Sequence, residues 1–219
     1  MDYDVVVIGA GIHGAAVAQA AAANGYRTLV LEQYSEPAQG TSSKSSSLIH
    51  GGLRYLESGR LRLVRECLVE RRRLLRNAPH LVQLRPFHIP VYRHTGRPAW
   101  LMFLGLSLYS LLSGHTFRRV PRAQWSTLDG LRTAGLQTVF QYPDGQTDGA
   151  LLTRAVLASA TSLGAHINYN CSFTGARCYP DGCDIDYTLH GHSHRVRAQT
   201  LVNGGGPWVN EVLQRVEPA

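Results

Sequence analysis

At 219 residues and 44% apolar side chains, the chain is long enough for one α/β domain of ordinary size or one and a half small ones. That composition excludes the disordered and fibrous classes. A formal charge of +7, from 22 Lys and Arg against 15 Asp and Glu, favours an anionic partner: a phosphorylated substrate, a membrane surface or nucleic acid.

Residues 3–8 (YDVVVI) are a short apolar run ending at Gly9, as expected of a buried parallel strand. Ala15 to Asn24 is rich in alanine and favours helix, with Gly25 closing it. Thr28 to Leu31 is a second strand-like run ending at Glu32, which completes a βαβ unit. The turn after the first strand reads Gly9-Ala10-Gly11-Ile12-His13-Gly14, a G-x-G-x-x-G in its proper context. Gly9 permits the tight turn, Gly11 lets the backbone approach a pyrophosphate, and Gly14 allows close helix–strand packing. The helix N-terminus then offers N–H groups and partial positive charge to the anion. Glu32 stands where a carboxylate binds ribose hydroxyls and repels a 2′-phosphate, so a dinucleotide other than NADP is expected.

Residues 35–52 carry five Ser between Ser42 and Ser47, together with Thr41 and several Gly. This is either a flexible linker or a functional loop, and it leads directly toward a helix. From Leu61 to Arg76, apolar residues recur at 61, 64, 68 and 75 with Arg on the intervening face, an amphipathic helix. Nine Arg lie between Arg54 and Arg85 against Glu57, Glu66 and Glu70. No aromatic platform interleaves them, so nucleic acid is not the expected partner.

Ala99 to Leu112 is the most apolar stretch. As a helix it reaches roughly 21 Å, short of the ~30 Å of a bilayer core, so it does not span. It is read as a buried helix or, flanked by Arg97, Arg118 and Arg119, as one lying in a membrane interface. Leu151 to Leu163 is helical and ends at Gly164. Three strand-like runs follow near 166–173, 183–189 and 194–202, joined by Pro180-Asp181-Gly182 and His190-Gly191 as in a meander. The last empties into Gly204-Gly205-Gly206-Pro207-Trp208, which suits a second close approach to a large cofactor.

Cys67, Cys171, Cys178 and Cys183 follow no leader-like segment, so free thiols in a reducing compartment are expected. Cys178-x4-Cys183 lacks a second pair, and no metal site is expected there. His190, His192 and His194 alternate as a solvated strand face would.

These segments are where a family resemblance lies. IGAGIHGAAVA, TSSKSSSLIHGGLRYLE, RLVRECLVER, NAPHLV, RPAWLMFLGLSLY, YPDGQTD and LVNGGGPWV resemble the N-terminal half of the FAD-dependent glycerol-3-phosphate dehydrogenases, within the D-amino-acid-oxidase-like flavoproteins. The resemblance implies an α/β fold: a Rossmann-like FAD-binding domain with a β-meander and part of an interleaved substrate (cap) domain. Residues 1–80 and 144–219 would bind FAD and residues 81–143 would belong to the cap. It implies that Gly9, Gly11, His13 and Gly14 hold the pyrophosphate and that Glu32 and Gln33 meet the adenosine. Thr41, Ser42, Ser46 and Ser47 would contact the phosphates and ribityl chain, and Leu48, Ile49 and His50 would run beside the isoalloxazine. Phe173 would meet adenine through its backbone, Gly204, Gly206 and Trp208 would approach the cofactor again, and Arg54 and Tyr55 would face the substrate. His50 is the imidazole of the loop and a candidate base, although packing against the flavin is the plainer role. Arg54 either grips a substrate phosphate or pairs with Glu57.

The chain departs from the family at Ala20, where an Asp is common, and at Gly149 and Leu151, where a paired acid and Arg stand. It also ends eleven residues after Trp208, so a C-terminal remainder is expected to be absent, in a piece of a longer chain or a degenerate paralogue. The implied activity is oxidation of sn-glycerol 3-phosphate to dihydroxyacetone phosphate. Electrons would pass from FAD to a quinone, in the cytoplasm or on the inner face of the cytoplasmic membrane, and a homodimer is compatible with this. The rivals are a flavoenzyme acting on an amine or a 2-hydroxy acid, and a non-catalytic nucleotide-binding protein.

Overall fold

A computed structural model of the chain describes residues 1–94 and 96–218. In chain order its elements are β1 (Tyr3–Ile8), α1 (Ile12–Ala23), β2 (Thr28–Leu31), α2 (Thr41–Lys44), β3 (Leu48–Ile49), α3 (Leu61–Asn77) and β4 (Val82–Tyr92). They continue as α4 (Ala99–Ser113), β5 (Arg118–Arg119), β6 (Leu136–Thr147), α5 (Gly149–Ser162) and β7 (His166–Asn168). The last are β8 (Cys171–Tyr179), β9 (Gly182–Leu189), β10 (His192–Asn203), α6 (Val209–Leu213) and β11 (Val216–Pro218). Met1–Ser47 and Asp148–Ala219 make one compact unit, and Leu48–Thr147 makes a second.

The first unit is built on a seven-stranded sheet in the order β11-β8-β9-β10-β1-β2-β7. β1 lies parallel to both β2 and β10, and β2 is parallel to β7. β8, β9 and β10 form the antiparallel meander. Because β1 is central, both of its faces are covered. Val6 and Ile8 enter one core with Leu29, Leu31, Phe173 and Ile185. Val7 enters the other with Val30 and the alanine stripe Ala15, Ala18 and Ala22 of α1. Those small side chains let α1 lie close to the sheet, and Leu157 and Ala160 of α5 complete that layer. The mixed α/β fold with a parallel sheet is as the sequence implies.

The second unit holds a four-stranded antiparallel sheet, β3-β6-β4 with β5 also on β6. Its core joins Val64 and Leu68 of α3, Leu106 and Tyr109 of α4, and Val91, Phe140 and Tyr142 of the sheet.

Several expectations need correction. The run 166–173 is two strands, because Asn170 turns the chain at φ 51° between β7 and β8. Cys178 and Cys183 are not free thiols: they face each other in register across the β8–β9 hairpin, Cα atoms 4.1 Å apart, and form a disulfide. Cys67 and Cys171 are the free ones. His190 sits in the left-handed turn rather than on the strand, and His194 stacks on Tyr187 with ring centres 5.3 Å apart. Arg71 does not lie on the solvated face of α3 but is fully buried.

Nor is α4 a buried helix. Leu106, Tyr109 and Ser113 face inward at helical spacing, while Trp100, Leu104 and Leu111 are 68%, 59% and 80% exposed. Among the described residues no helix is long and apolar enough to cross a membrane.

Candidate functional site

In the first unit, backbone proximity shapes the turn after β1. Gly9 adopts φ +95°, and a Cβ there would stand 2.7 Å from the Gly204 carbonyl oxygen. A Cβ on Gly14 would run into the Gly9 carbonyl, and one on Gly204 would lie 2.9 Å from the Ile8 carbonyl oxygen. The Gly204 amide donates to that same Ile8 carbonyl at 2.9 Å. The ends of β1 and β10 and the start of α1 are therefore packed main chain to main chain. Asn203 shapes the end of β10, with its side chain accepting from the Gly205 amide and donating to the Val209 carbonyl. Asn203 is not legible as a site residue in the sequence, since a lone Asn carries no spacing signal comparable to that of the glycines around it.

α1 is entered through Gly11, which has no side chain of its own to cap it, and carries no acid in its first turn, so its positive end suits an anion. A Cβ on Gly11 would meet only the Ser42 hydroxyl, at 3.3 Å. That hydroxyl accepts from the Ile12 amide at 2.9 Å, so α2 presents a serine directly to the helix start. His13 is exposed beside it. Glu32 is buried, and its carboxylate accepts from the Ala10 amide at 2.6 Å and the Tyr34 amide at 3.0 Å. It thus pins the fingerprint turn while retaining lone pairs for a further donor. Gln33 is exposed next to it.

Thr41, Ser42, Ser46 and Ser47 are carried by α2 and its exit, with Ser47 at φ 54°. Trp208 packs beside them, its ring 3.2 Å from where a Gly40 Cβ would be and edge-on to Tyr34. Gly206 turns the chain just before Trp208 at φ +53°. Phe173 is buried in β8, and its carbonyl accepts from Arg215 at 3.0 Å. Asp148 caps α5 by accepting from the Ala150 and Leu151 amides. Gly149 has a steric reason to be glycine, since a Cβ there would strike the Ser42 carbonyl. Leu151 is exposed.

In the second unit, Leu48 and Ile49 pair with Gln146 and Gly145 of β6, and the chain then turns through Gly51 and Gly52, the latter at φ +83°. The turn Leu53–Leu56 brings Arg54, Tyr55 and His50 together. The Arg54 guanidinium lies 5.1 Å from the centre of the Tyr55 ring, and the His50 ring stands edge-on to Tyr55 at 5.8 Å. Arg54 does not pair with Glu57, which is bound instead to Arg97 at 2.7 Å. Among the described residues Arg54 has no carboxylate partner. The His50 Nδ1 atom is buried without a hydrogen-bond partner among the described residues.

Beneath this loop lies a buried polar cluster that sequence reasoning missed. Arg71 Nη1 donates to Asp144 Oδ1 at 2.6 Å, with both side chains 1% exposed. Arg71 Nη1 also donates to the Tyr109 hydroxyl at 3.1 Å. Asp144 accepts from the Gly51 amide at 3.1 Å and from the Gly145 amide at 3.0 Å. Burial, reinforced by the Asp144 charge, raises the Tyr109 phenol far above the usual tyrosine range and pushes Tyr142 up to about 12.

Residues 4–219 match the family described as FAD dependent oxidoreductase (DAO). The glycerol-3-phosphate dehydrogenase of Pseudomonas aeruginosa is 40% identical over 213 residues, covering 97% of this chain and 41% of that protein. The D-erythritol 1-phosphate dehydrogenase of Brucella abortus is 39% identical over 222 residues, covering 97% of this chain and 43% of that one. The chain therefore spans about two fifths of the length of these curated relatives. Among solved structures, the glycerol-3-phosphate dehydrogenase from Bacillus halodurans complexed with FAD matches with a TM-score of 0.73 at 23% identity, over 98% of this chain and 36% of that one. That last likeness speaks for the fold alone.

Proposed function

We propose, from the premise that the chain belongs to the FAD dependent oxidoreductase family, that it is the FAD-holding first part of an enzyme oxidising sn-glycerol 3-phosphate to dihydroxyacetone phosphate. The residues present fit the cofactor. The start of α1, free of acid in its first turn, the narrow Gly9–Gly14 turn and the Ser42 hydroxyl suit a pyrophosphate, and Glu32 has acceptor capacity left for ribose hydroxyls. Residues 1–80 and 144–219 are assigned to cofactor binding. Gln33, Thr41, Ser46, Ser47, Leu48, Ile49, Phe173, Gly204, Gly206 and Trp208 extend that surface, and residues 81–143 are assigned to the substrate side.

When bound, FAD would supply the acceptor for the hydride leaving the alcohol carbon. The chain's own residues orient the substrate and handle its proton. Arg54 carries the substrate claim: an exposed guanidinium over an aromatic ring, with no carboxylate partner among the described residues, suits a phosphate fork. Tyr55 offers a hydroxyl beside it. His50, with a ring nitrogen lacking a partner among the described residues, is assigned as the acceptor of the alcohol proton. Both close relatives bear names of phosphorylated polyol dehydrogenases, which favours this class over amines and 2-hydroxy acids. Electrons are proposed to pass to a membrane quinone. The exposed apolar face of α4, with Trp100, Leu104 and Leu111, supports a seat on the inner face of the cytoplasmic membrane.

The test uses the full-length gene product. It is expected to be yellow and to bleach anaerobically with glycerol 3-phosphate. Bleaching by D-erythritol 1-phosphate alone would move the substrate within the class. Bleaching by D-amino acids or 2-hydroxy acids, and not by glycerol 3-phosphate, would overturn the proposal.

A further inference from the structure

The buried cluster under the Gly51 turn is an unusual thing to place in a core. Asp144 is 0% and Arg71 1% exposed, and the pair is not fully satisfied, because Arg71 Nε has no hydrogen-bond partner among the described residues. As a source of stability alone, a buried ion pair is a poor choice, since well-packed apolar side chains of similar volume generally serve as well or better. Its geometry points elsewhere. The carboxylate of Asp144 accepts from the Gly51 amide across 93 positions of sequence, tying the Gly51 turn to β6. The turn also rests directly on the cluster: a Cβ on Gly51 would collide with the Tyr109 hydroxyl and with Leu68. Immediately before Gly51 stands His50, and three residues after it stands Arg54. Gly52, at φ +83°, redirects the chain between them. The direction in which His50, Arg54 and Tyr55 face therefore depends on where Asp144 is held. Asp144 in turn is held by Arg71 from α3, while the Tyr109 hydroxyl from α4 lies 3.1 Å from Arg71 and 3.5 Å from both Asp144 oxygens.

We propose that Arg71, Asp144 and Tyr109 are positioning residues that fix the Gly51 backbone and thereby set the substrate-facing geometry of His50, Arg54 and Tyr55. The substrate part of this statement rests on the function proposed above, whereas the backbone part does not. None of the three is assigned a contact with the substrate. Their role is to replace a soft glycine turn with one anchored to a charge that water does not reach.

The test separates anchoring from stability in the flavin-loaded full-length protein. Arg71→Met and Asp144→Leu singly each strand a buried charge and should lower Tm, and the double variant should recover most of that loss. The recovered double variant should nonetheless exchange its Gly51 amide about tenfold faster than the wild type, with amides of the β4–β6 ladder unchanged. Its KM for glycerol 3-phosphate should rise by a similar factor of about ten while kcat falls less. Wild-type Gly51 protection together with wild-type KM in the double variant would overturn the proposal. If the double variant does not recover its Tm, Tyr109→Phe decides. It keeps the ring and should speed Gly51 exchange several-fold without a matching drop in Tm, and unchanged exchange would overturn the proposal. Should the wild-type flavin not be reduced by glycerol 3-phosphate, the function proposed above fails by itself. The exchange measurement, which needs no substrate, still judges the anchoring.

Discussion

The two compact units fix their key loops by opposite means. In Met1–Ser47 with Asp148–Ala219, the turn at Gly9–Gly14 is set by main chain pressed on main chain, with Gly204 and Glu32 closing it from either side. In Leu48–Thr147, the turn at Gly51–Gly52 is set by a buried charge pair whose members lie 73 positions apart in sequence. The first device depends on missing side chains at Gly9, Gly14 and Gly204, tied by the Glu32 carboxylate, so an added Cβ at those glycines harms it. The second depends on the presence of particular polar atoms, so it can be dismantled without overcrowding. The difference teaches which kind of substitution each loop tolerates.

The largest effect in the first unit should come from Gly14→Ala. Its Cβ would occupy the position of the Gly9 carbonyl, so the turn must shift, at about 3 kcal/mol in stability and with loss of flavin from the purified protein. Calorimetry and the ratio of visible to ultraviolet absorbance measure both, and a variant that keeps full flavin content would break the comparison. A smaller effect should follow from Asp148→Ala. Removing the cap of α5 leaves the Ala150 and Leu151 amides without their acceptor and should cost about 1 kcal/mol. The start of α5 packs on α2, where a Cβ on Gly149 would strike the Ser42 carbonyl, so flavin content should fall slightly and far less than in Gly14→Ala. A loss of flavin as large as in Gly14→Ala would show that the start of α5 bears on the cofactor more directly than its capping role requires.

How much of this the sequence disclosed follows the same division. β1 and β2 are read to the residue because a central parallel strand is apolar throughout and its ends are marked by Gly9 and Glu32. α5 and the meander are read from Gly164 and the Pro180-Asp181-Gly182 turn, which are local signals. β4 and β6 are not legible as strands, since Pro86 and Pro90 interrupt the first and Pro143 the second. The structure accommodates them physically. β4 is an edge strand, and Pro143 falls in the gap between the residues of β6 that pair with β5 and those that pair with β3. Arg71 is misread for a related reason. Helical periodicity assigns an arginine to the wet face, and only a partner far along the chain, Asp144, makes burial tolerable.

The candidate site divides likewise. The fingerprint glycines announce themselves by spacing, and the serine loop by composition. The disulfide between Cys178 and Cys183 is not legible in the sequence, because it depends on the hairpin register that sets the two residues face to face. Hydropathy leaves α4 open between a buried and an interfacial helix, because it registers how apolar a helix is but not how much of it finds a neighbour.

The most direct measurement of the central claim, that the chain holds FAD through its Gly9–Gly14 turn and recognises the substrate phosphate through Arg54, is Arg54→Ala in the full-length gene product. Flavin content should remain that of the wild type. The affinity for glycerol 3-phosphate should fall by about 2 kcal/mol, roughly thirtyfold, and little of that loss should appear with an unphosphorylated polyol. Loss of flavin with substrate affinity retained, or equal losses with and without the phosphate, would contradict the account.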